Sequence, residues 1–279
     1  TVLAKSDKVY HLILDSRLLM QEGNEKYLEP TIRALSVVYG YTEEAMRSLI
    51  MEKKDSAYYR LKKNISYEEK VAFEDYEKNL PKQEDGKEHP DKGMIKGVTF
   101  EEEYLRTYPF DTLASHIIGF AKADGEGTYG IEQQYNSQLT GINGRTYDYY
   151  DSDLTVQHKE IPPKDGNVIV STIDANLQRI VQKYTEGFLD EIGAKNVGVL
   201  LMDVNTAEVL AMQSNYSYNL NSPRDLSKWY SEEEIKAMDS EAQLNALYKV
   251  WRNFCISDSY EPGSTFKPVT VASAIEEAV

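Results

Sequence analysis

The sequence is poor in the residues that most often mark a specialised site. One cysteine, Cys255, stands among 279 residues, which excludes an internal disulfide and a zinc ribbon. The four histidines lack the spacing of metal ligands, so we expect no metal and no cofactor; they are His11, His89, His116 and His158. Basic residues are outnumbered, with 31 Lys and Arg against 46 Asp and Glu. The net charge of −15 therefore argues against a nucleic-acid partner.

Long apolar runs are also missing. No stretch approaches the ~18 apolar residues that a membrane span requires. The chain opens at Thr1 inside a segment that already has the character of a strand, which indicates that the parent protein continues upstream. The missing membrane span is therefore no evidence that the parent lacks an anchor. The 41% apolar content is enough for about two domains with cores of their own.

Hydrophobic periodicity predicts helices and strands in both halves of the chain. The predicted helices are Asn24–Val38, Thr42–Met51 capped by Thr42, Ile65–Leu80 opened by Ser66, Leu113–Gly119, and one that Asp174 caps and that runs to about Glu191. The predicted strands are Val9–Leu14, Val98–Tyr108, the strand-like Arg145–His158, Asn167–Thr172, Val197–Met202 and Glu208–Met212, the last two joined as a hairpin. This order predicts an α+β fold in which helices pack on antiparallel sheet.

A cluster of turn-forming residues predicts where the two domains meet. Pro162-Pro163 is followed at once by Asp165-Gly166, and both pairs are typical of turns and linkers. We therefore predict one domain over residues 1–165 and a second over residues 166–279.

The stretch Tyr260–Val279 carries a serine and a lysine three residues apart, Ser264 and Lys267. The turn residues Pro262-Gly263 precede them and apolar residues at helical spacing follow, so a helix is predicted to begin here. Residues at i and i+3 share a helix face, and a helix N-terminus offers unpaired N–H groups. A hydroxyl, an amine and N–H donors together suit acyl transfer by a serine nucleophile. The four residues alone favour a simpler interpretation, a serine N-cap followed by a solvated lysine in the first turn.

The segment GEGTYG, Gly125–Gly130, matches the spacing of a dinucleotide-binding fingerprint. Glu126 would place a carboxylate among the N–H groups that such a loop offers to a pyrophosphate. We therefore predict a tight turn here and not a nucleotide site.

Several longer stretches, taken in order, resemble one family. They are RTYP (Arg106–Pro109), SHIIGF (Ser115–Phe120), GTYGIEQQYNSQLTGINGR (Gly127–Arg145), IDANLQRIV, GAKNVGVLLMDVNTAEVLAM, LNSPRD and YEPGSTFKP. Together they are similar to the motifs of class B penicillin-binding proteins. The resemblance covers residues from about 98 to the end and, more loosely, the whole chain. It favours the catalytic interpretation of Ser264 and Lys267 over the cap.

The resemblance implies an elongated pedestal over 1–165 and the first part of a transpeptidase domain over 166–279. It also implies that the parent crosslinks peptidoglycan stem peptides and is acylated by β-lactams, with Ser264 as nucleophile and oxyanion N–H donor and Lys267 as general base. The parent would lie on the outer face of the bacterial cell membrane, held by one upstream anchor beside a membrane glycosyltransferase partner. Five motif residues are expected to hold pedestal and catalytic domain together and not to catalyse; they are Arg106, His116, Glu132, Tyr135 and Arg145.

Two other functions remain open from the sequence. The family completes its site with a Ser-x-Asn motif and a Lys-Thr-Gly strand downstream of the serine helix. Neither occurs in the twelve residues after Lys267, so the 279 residues are expected to be a truncated and inactive piece of the enzyme. The first alternative is a non-catalytic pedestal that docks a glycosyltransferase. The second is a β-lactam sensor, against which the long pedestal segment argues.

We predict that limited proteolysis cuts the chain at the Pro-Pro and Asp-Gly break. A stable piece should end between Ile161 and Gly166, because a linker between two cores is the most accessible backbone. Mass spectrometry of the first fragments checks this. Preferred cleavage inside Val98–Arg145 would contradict the predicted boundary.

Overall fold

A computed structural model describes residues 1–150 and 156–277. The fold is α+β, as predicted, with small antiparallel sheets and twelve helices in the described ranges. The strands are β1 Lys5–Leu14, β2 Tyr59–Ile65, β3 Val98–Thr107, β4 Phe120–Ala121, β5 Gly127–Thr128, β6 Arg145–Tyr150, β7 Val156–Ile161, β8 Gly198–Met202 and β9 Val209–Ser214. The helices are α1 Ser16–Met20, α2 Glu25–Tyr39, α3 Glu43–Glu52, α4 Tyr67–Lys78, α5 Ser115–Ile118, α6 Gly130–Gln134, α7 Asn136–Leu139, α8 Ala175–Ile192, α9 Glu232–Ala237, α10 Ser240–Trp251, α11 Phe254–Ser257 and α12 Lys267–Glu277.

The chain forms two compact units. The first is Lys5–Thr107, and the second combines Thr1–Ala4 with Tyr108–Val279. This division lies elsewhere than the predicted domain boundary at 165/166, where the backbone continues within the second unit. The bond from the Asn167 N–H to the Gln138 carbonyl, at 2.7 Å, ties the two sides of that boundary together. The boundary stays a prediction for the proteolysis experiment.

The first unit is a three-stranded antiparallel sheet covered by helices. Strand β1 lies in the middle, between β2 and β3. Alternate residues of a strand face the same side, so Tyr10, Leu12 and Leu14 enter one core. Helices α2, α3 and α4 cover that face with apolar residues spaced three or four apart, among them Ile32, Leu35, Met46, Ile50 and Phe73. This core closes within the unit.

The predicted caps of two helices are confirmed. The Thr42 side chain accepts a hydrogen bond from the Ala45 N–H at the start of α3. Ser66 and Glu69 form a reciprocal capping box at the start of α4. Strand β2 was not predicted, because Lys63 interrupts the alternation of its apolar residues.

The hairpin of β8 and β9 is also confirmed. Its strands pair antiparallel from Gly198 opposite Ser214 to Met202 opposite Val209. Asp203 turns the chain between them, since its Oδ1 accepts hydrogen bonds from the N–H groups of Asn205 and Thr206. These bonds also lower the pKa of the Asp203 carboxyl.

The predicted strand Asn167–Thr172 is wrong. Its alternating valines find no partner strand in the described chain, and Val168 and Val170 are 86% and 90% exposed. The free edge of β9 is instead bound by α8. The buried Gln178 amide donates to the Met212 carbonyl and accepts from the Met212 N–H, both at 2.9 Å. A side-chain amide thus makes the pair of bonds that a neighbouring strand would have made.

Two strands, β6 and β7, account for most of the Tyr- and Asp-rich segment that the sequence predicts as strand-like, Arg145–His158. Residues 151–155 of that segment lie outside the described residues.

The predicted tight turn of the GEGTYG segment is present at Gly125, whose φ is +83°, and close backbone packing explains Gly127. A Cβ on Gly127 would lie 2.0 Å from the Glu132 carbonyl oxygen. Gly119 lies on the facing segment with a φ of +74°, and its Cβ would lie 2.0 Å from the Tyr129 oxygen. Side chains are excluded at both positions by neighbouring backbone.

We expect Gly119→Ala to destabilise the second unit by at least about 2 kcal/mol, because the new Cβ meets backbone and the residue keeps a left-handed φ. Both tryptophans, Trp229 and Trp251, pack in the core of this unit, so tryptophan fluorescence in urea reports its unfolding. Gly187→Ala is the matched control, since its Cβ points into open space on helix α8. That substitution should stabilise by roughly 0.5–1 kcal/mol. Equal midpoints for the two variants would contradict the packing argument.

Candidate serine–lysine site

The predicted helix at Ser264 is present, and its first turn is of the 3-10 type. The turn spans Gly263–Phe266 and continues directly into α12. Gly263 enters it with a φ of +56°, a conformation that glycine adopts without strain. The Lys267 N–H donates to the Ser264 carbonyl, three residues back. Because residues at i and i+3 align along a 3-10 turn, Ser264 and Lys267 lie on one face.

The start of this helix supplies N–H donors beside the serine. The Ser264 N–H makes no backbone hydrogen bond among the described residues, while the next N–H, of Thr265, donates to the Pro262 carbonyl at 3.2 Å. The helix dipole of the eleven residues of α12 favours negative charge at this end. The local arrangement therefore suits an alkoxide or a tetrahedral oxyanion.

Neither side chain is shielded from water. Every residue from Ser257 to Glu277 is exposed, Ser264 and Lys267 included. The apolar face of α12 is exposed with them, for example Val269 at 51% and Ile275 at 67%. A general base must be neutral, and side chains that exclude water from an amine favour its neutral form. The exposed pair therefore lacks the surroundings that activate a serine.

His116 lies in the core of the second unit, far from solvent. Its ring packs perpendicular to Tyr218 with centroids 5.2 Å apart. Its Nε2–H donates to the Val250 carbonyl at 2.9 Å, since a carbonyl can only accept. Burial lowers the pKa of His116 to about 4, although the Val250 carbonyl favours the charged form. The bond joins residues on opposite sides of the predicted boundary at 165/166.

Glu132 and Tyr135 belong to helix α6 and its end. Glu132 is 4% exposed, and one of its partners is the Tyr108 hydroxyl, which donates to Oε1 at 3.4 Å. Tyr135 lies between α6 and α7, as the C-cap of the first and the N-cap of the second, and it is 40% exposed. The two residues thus have different surroundings, one buried and one at the surface.

Both predicted motif arginines lie on strands. Arg106 is in β3 of the first unit, opposite Ser6, and its Nη1 donates to the Ser6 hydroxyl at 3.3 Å. Arg145 opens β6 opposite Ile161 and is exposed. Within the second unit, no hydrogen bond among the described residues joins Ser264 or Lys267 to any predicted motif residue.

Sequence reasoning missed the residues that connect the core to the serine segment. Asn253 is 6% exposed, and its Nδ2 donates to the His116 carbonyl at 3.4 Å. Arg252, at the end of α10, donates to the Ser257 carbonyl and to Asp258. The only signal available was a polar Arg-Asn pair at the end of an apolar helix shortly before the serine motif.

The described residues contain no other candidate centre. No group of three His, Cys, Asp or Glu side chains in them is arranged to hold a metal ion. No helix among them is long and apolar enough to cross a membrane.

Two family models match the chain. A penicillin-binding protein dimerisation domain matches residues 1–171, and a penicillin-binding protein transpeptidase domain matches residues 197–279. The peptidoglycan D,D-transpeptidase FtsI of Buchnera aphidicola is 31% identical over 66% of this chain and 29% of its own length. The stage V sporulation protein D of Bacillus subtilis is 30% identical over 66% of this chain and 26% of its own length.

A solved structure, penicillin-binding protein 2X of Streptococcus thermophilus, shares the fold with a TM-score of 0.59 at 24% identity. It covers 80% of this chain and 34% of the solved chain. The sequence therefore spans less than a third of the length of the curated relatives it matches.

We expect His116→Gln to flatten the dependence of stability on pH. The unfolded chain protonates this histidine near its ordinary pKa of about 6.5 and the folded chain near 4, so between these values the unfolded state binds more protons. The free energy of unfolding therefore falls as pH drops from 6.5 towards 4, by up to about 1.4 kcal/mol per pH unit.

The measurement is urea unfolding followed by tryptophan fluorescence at several pH values between 4.5 and 7.5. The gap between wild type and His116→Gln should be largest at pH 7.5 and should narrow on acidification. His89→Gln, in the first unit, removes a histidine elsewhere and serves as control. Parallel curves for wild type and His116→Gln would contradict a buried neutral imidazole.

Proposed function

The chain belongs to the class B penicillin-binding proteins, with their dimerisation domain and the first part of their transpeptidase domain, and we propose that the whole protein is a serine D,D-transpeptidase. Its substrates are peptidoglycan stem peptides that end in two D-alanines, and β-lactams acylate it as substrate mimics. The observation that carries the proposal is the serine and lysine on one face of a helix start that offers an unpaired N–H.

In the proposed reaction, the Ser264 hydroxyl oxygen attacks the carbonyl between the two D-alanines. The hydroxyl proton passes to the neutral Lys267 amine, and the oxyanion is bound by N–H donors that include that of Ser264. The peptide C–N bond then breaks, and the terminal D-alanine leaves as an amine that takes the proton. An amine of a neighbouring peptide then attacks the acyl-serine ester, the bond from the carbonyl carbon to the Ser264 oxygen breaks, and a proton of the amine passes to that oxygen.

The proposed general base requires a neutral amine, and this requires a wall around Lys267 that excludes water. In the structure Ser264 and Lys267 are exposed, together with the apolar side of α12. We therefore propose that the 279 residues alone are inactive and that other parts of the whole protein cover this helix. In this interpretation the exposed valines and isoleucine of α12 belong to a core that forms only in the whole protein.

The place of action follows from the same proposal. A transpeptidase that acts on peptidoglycan works on the outer face of the cell membrane, and we propose a single upstream anchor and a membrane glycosyltransferase partner for the whole protein. The five motif residues Arg106, His116, Glu132, Tyr135 and Arg145 are proposed to support the catalytic domain without taking part in the chemistry. The division near residue 165 between pedestal and catalytic domain belongs to this proposal.

A second function, a non-catalytic interaction module, is supported by one observation. The first unit, Lys5–Thr107, closes its own core, whereas α12 has no core around it in the described chain. A unit of this kind would fold and bind a partner without the serine helix. Acylation of the whole protein distinguishes the two functions.

We predict that a fluorescent penicillin labels Ser264 in the full-length protein and that Ser264→Ala abolishes the labelling. Lys267→Ala should slow acylation by at least about a hundredfold, because the proton acceptor is lost. The 279-residue chain should label little or not at all. The readout is in-gel fluorescence with peptide mapping of the acylated serine.

A denatured sample of each protein provides the background. Labelling of full-length Ser264→Ala at the wild-type level would contradict the proposed nucleophile. Stoichiometric labelling of Ser264 in the 279-residue chain would instead contradict the need for a wall around Lys267.

A further inference from the structure

The chain between α10 and the serine turn is anchored at several points. The Phe254 N–H donates to the Ser214 hydroxyl on β9 at 2.7 Å. The Cys255 thiol donates to the Gln213 carbonyl on the same strand at 3.3 Å. Asn253 reaches the His116 carbonyl on α5. Helix α11 is therefore held against both the hairpin and the buried SHIIGF segment.

Arg252 and Asp258 close this segment at its far end. The Arg252 Nη2 donates to the Ser257 carbonyl at 2.6 Å and lies 3.0 Å from the Asp258 carboxylate. One guanidinium thus binds both the Ser257 carbonyl and the Asp258 carboxylate. Because its N–H donors form a planar fork, it fixes the positions of these two acceptors relative to each other. Two consecutive residues are thus held relative to the end of α10, and with them the direction in which the chain leaves α11. We call this pair the Arg252–Asp258 latch.

The latch is the last hydrogen-bonded contact before the serine. From Ser259 to Glu277, the side-chain hydrogen bonds of the described residues stay local, from Thr265 to Pro262, Thr270 to Phe266 and Ser273 to Val269. Six Cα-to-Cα steps separate Asp258 from Ser264, a span of at most about 21 Å. The point at which the chain leaves the latch therefore limits where Ser264 can lie.

We propose that Arg252 and Asp258 are positioning residues for the serine, because their ion pair sets where the Ser264 helix starts relative to the rest of the catalytic domain. This inference rests on the proposed function of Ser264. The latch side chains are 53% and 33% exposed, and exposed ion pairs contribute little to global stability. Small displacements of a reacting group, in contrast, cost large factors in rate. The latch should therefore affect acylation much more than unfolding.

The first experiment uses the full-length protein and measures the penicillin acylation rate constant and the apparent binding constant separately. Arg252→Ala and Asp258→Asn should each lower the rate constant by about tenfold, with the binding constant changed less than about twofold. The melting temperature should shift by no more than about 2 °C. Arg252→Lys should recover part of the rate, because it keeps the charge but loses the fork.

The double variant Arg252→Asp with Asp258→Arg should also recover part of the rate, since it restores an ion pair without the bond to the Ser257 carbonyl. Lys236→Ala is the matched control. It removes an exposed ion pair to Glu232 on α9, in the same unit, at 2.6 Å. Equal acylation by Arg252→Ala and wild type, or an equal loss in Lys236→Ala, would overturn the proposal.

The second experiment does not depend on acylation and uses the 279-residue chain. Hydrogen exchange of the backbone amides from residue 257 to residue 266 should become at least about fivefold faster in Arg252→Ala and stay unchanged in Lys236→Ala. Unchanged exchange rates in Arg252→Ala would refute the latch, whatever the acylation rate of the full-length protein is. If full-length wild type is not acylated at Ser264, the proposed function fails, while this measurement still decides whether the latch holds the segment.

Discussion

The hydrogen bond from the buried His116 ring to the Val250 carbonyl is the contact on which the second unit depends. It ties the short helix α5 to the last turn of α10, and the His116 carbonyl in turn accepts from Asn253. One residue therefore fixes both the end of α10 and the start of the segment that leads to Ser264. Because burial favours the neutral imidazole, this bond is made without placing a charge in the core.

Aromatic packing surrounds this hydrogen bond. Phe120 contacts Trp251 with ring centroids 5.1 Å apart and Tyr218 with centroids 6.2 Å apart. Phe120 immediately follows Gly119, whose backbone lies directly against that of Tyr129. The motif glycines bring two chain segments close enough for the aromatic side chains to meet one another. The SHIIGF and GTYGIEQ segments are thus explained by packing, and His116 connects them to α10 and to Asn253.

The serine helix differs from this core in one respect, its exposure. The geometry at Ser264 is local, since it needs only Gly263, the 3-10 turn and the start of α12. The activation of Lys267 is not local, because excluding water from an amine requires side chains from elsewhere in the fold. Position and activation of the proposed nucleophile are therefore separate properties, and the structure shows the position of Ser264 at the start of α12.

The sequence by itself determined the elements whose causes are local. The caps at Thr42 and Ser66, the Asp203 turn and the start of the Ser264 helix all follow from residues within one turn of the chain. The tertiary structure alone decided the rest. The alternating valines of 167–172 predicted a strand, but no described strand pairs with them, and the β9 edge is bound by the Gln178 amide from a helix. Periodicity shows which residues of a segment can share a face. It does not show which segment packs on that face, because that segment is far away in the sequence. For the same reason the hydrogen bonds of Arg252 and Asn253 could not be predicted from the sequence. They form because the tertiary structure brings α11 next to α5 and β9.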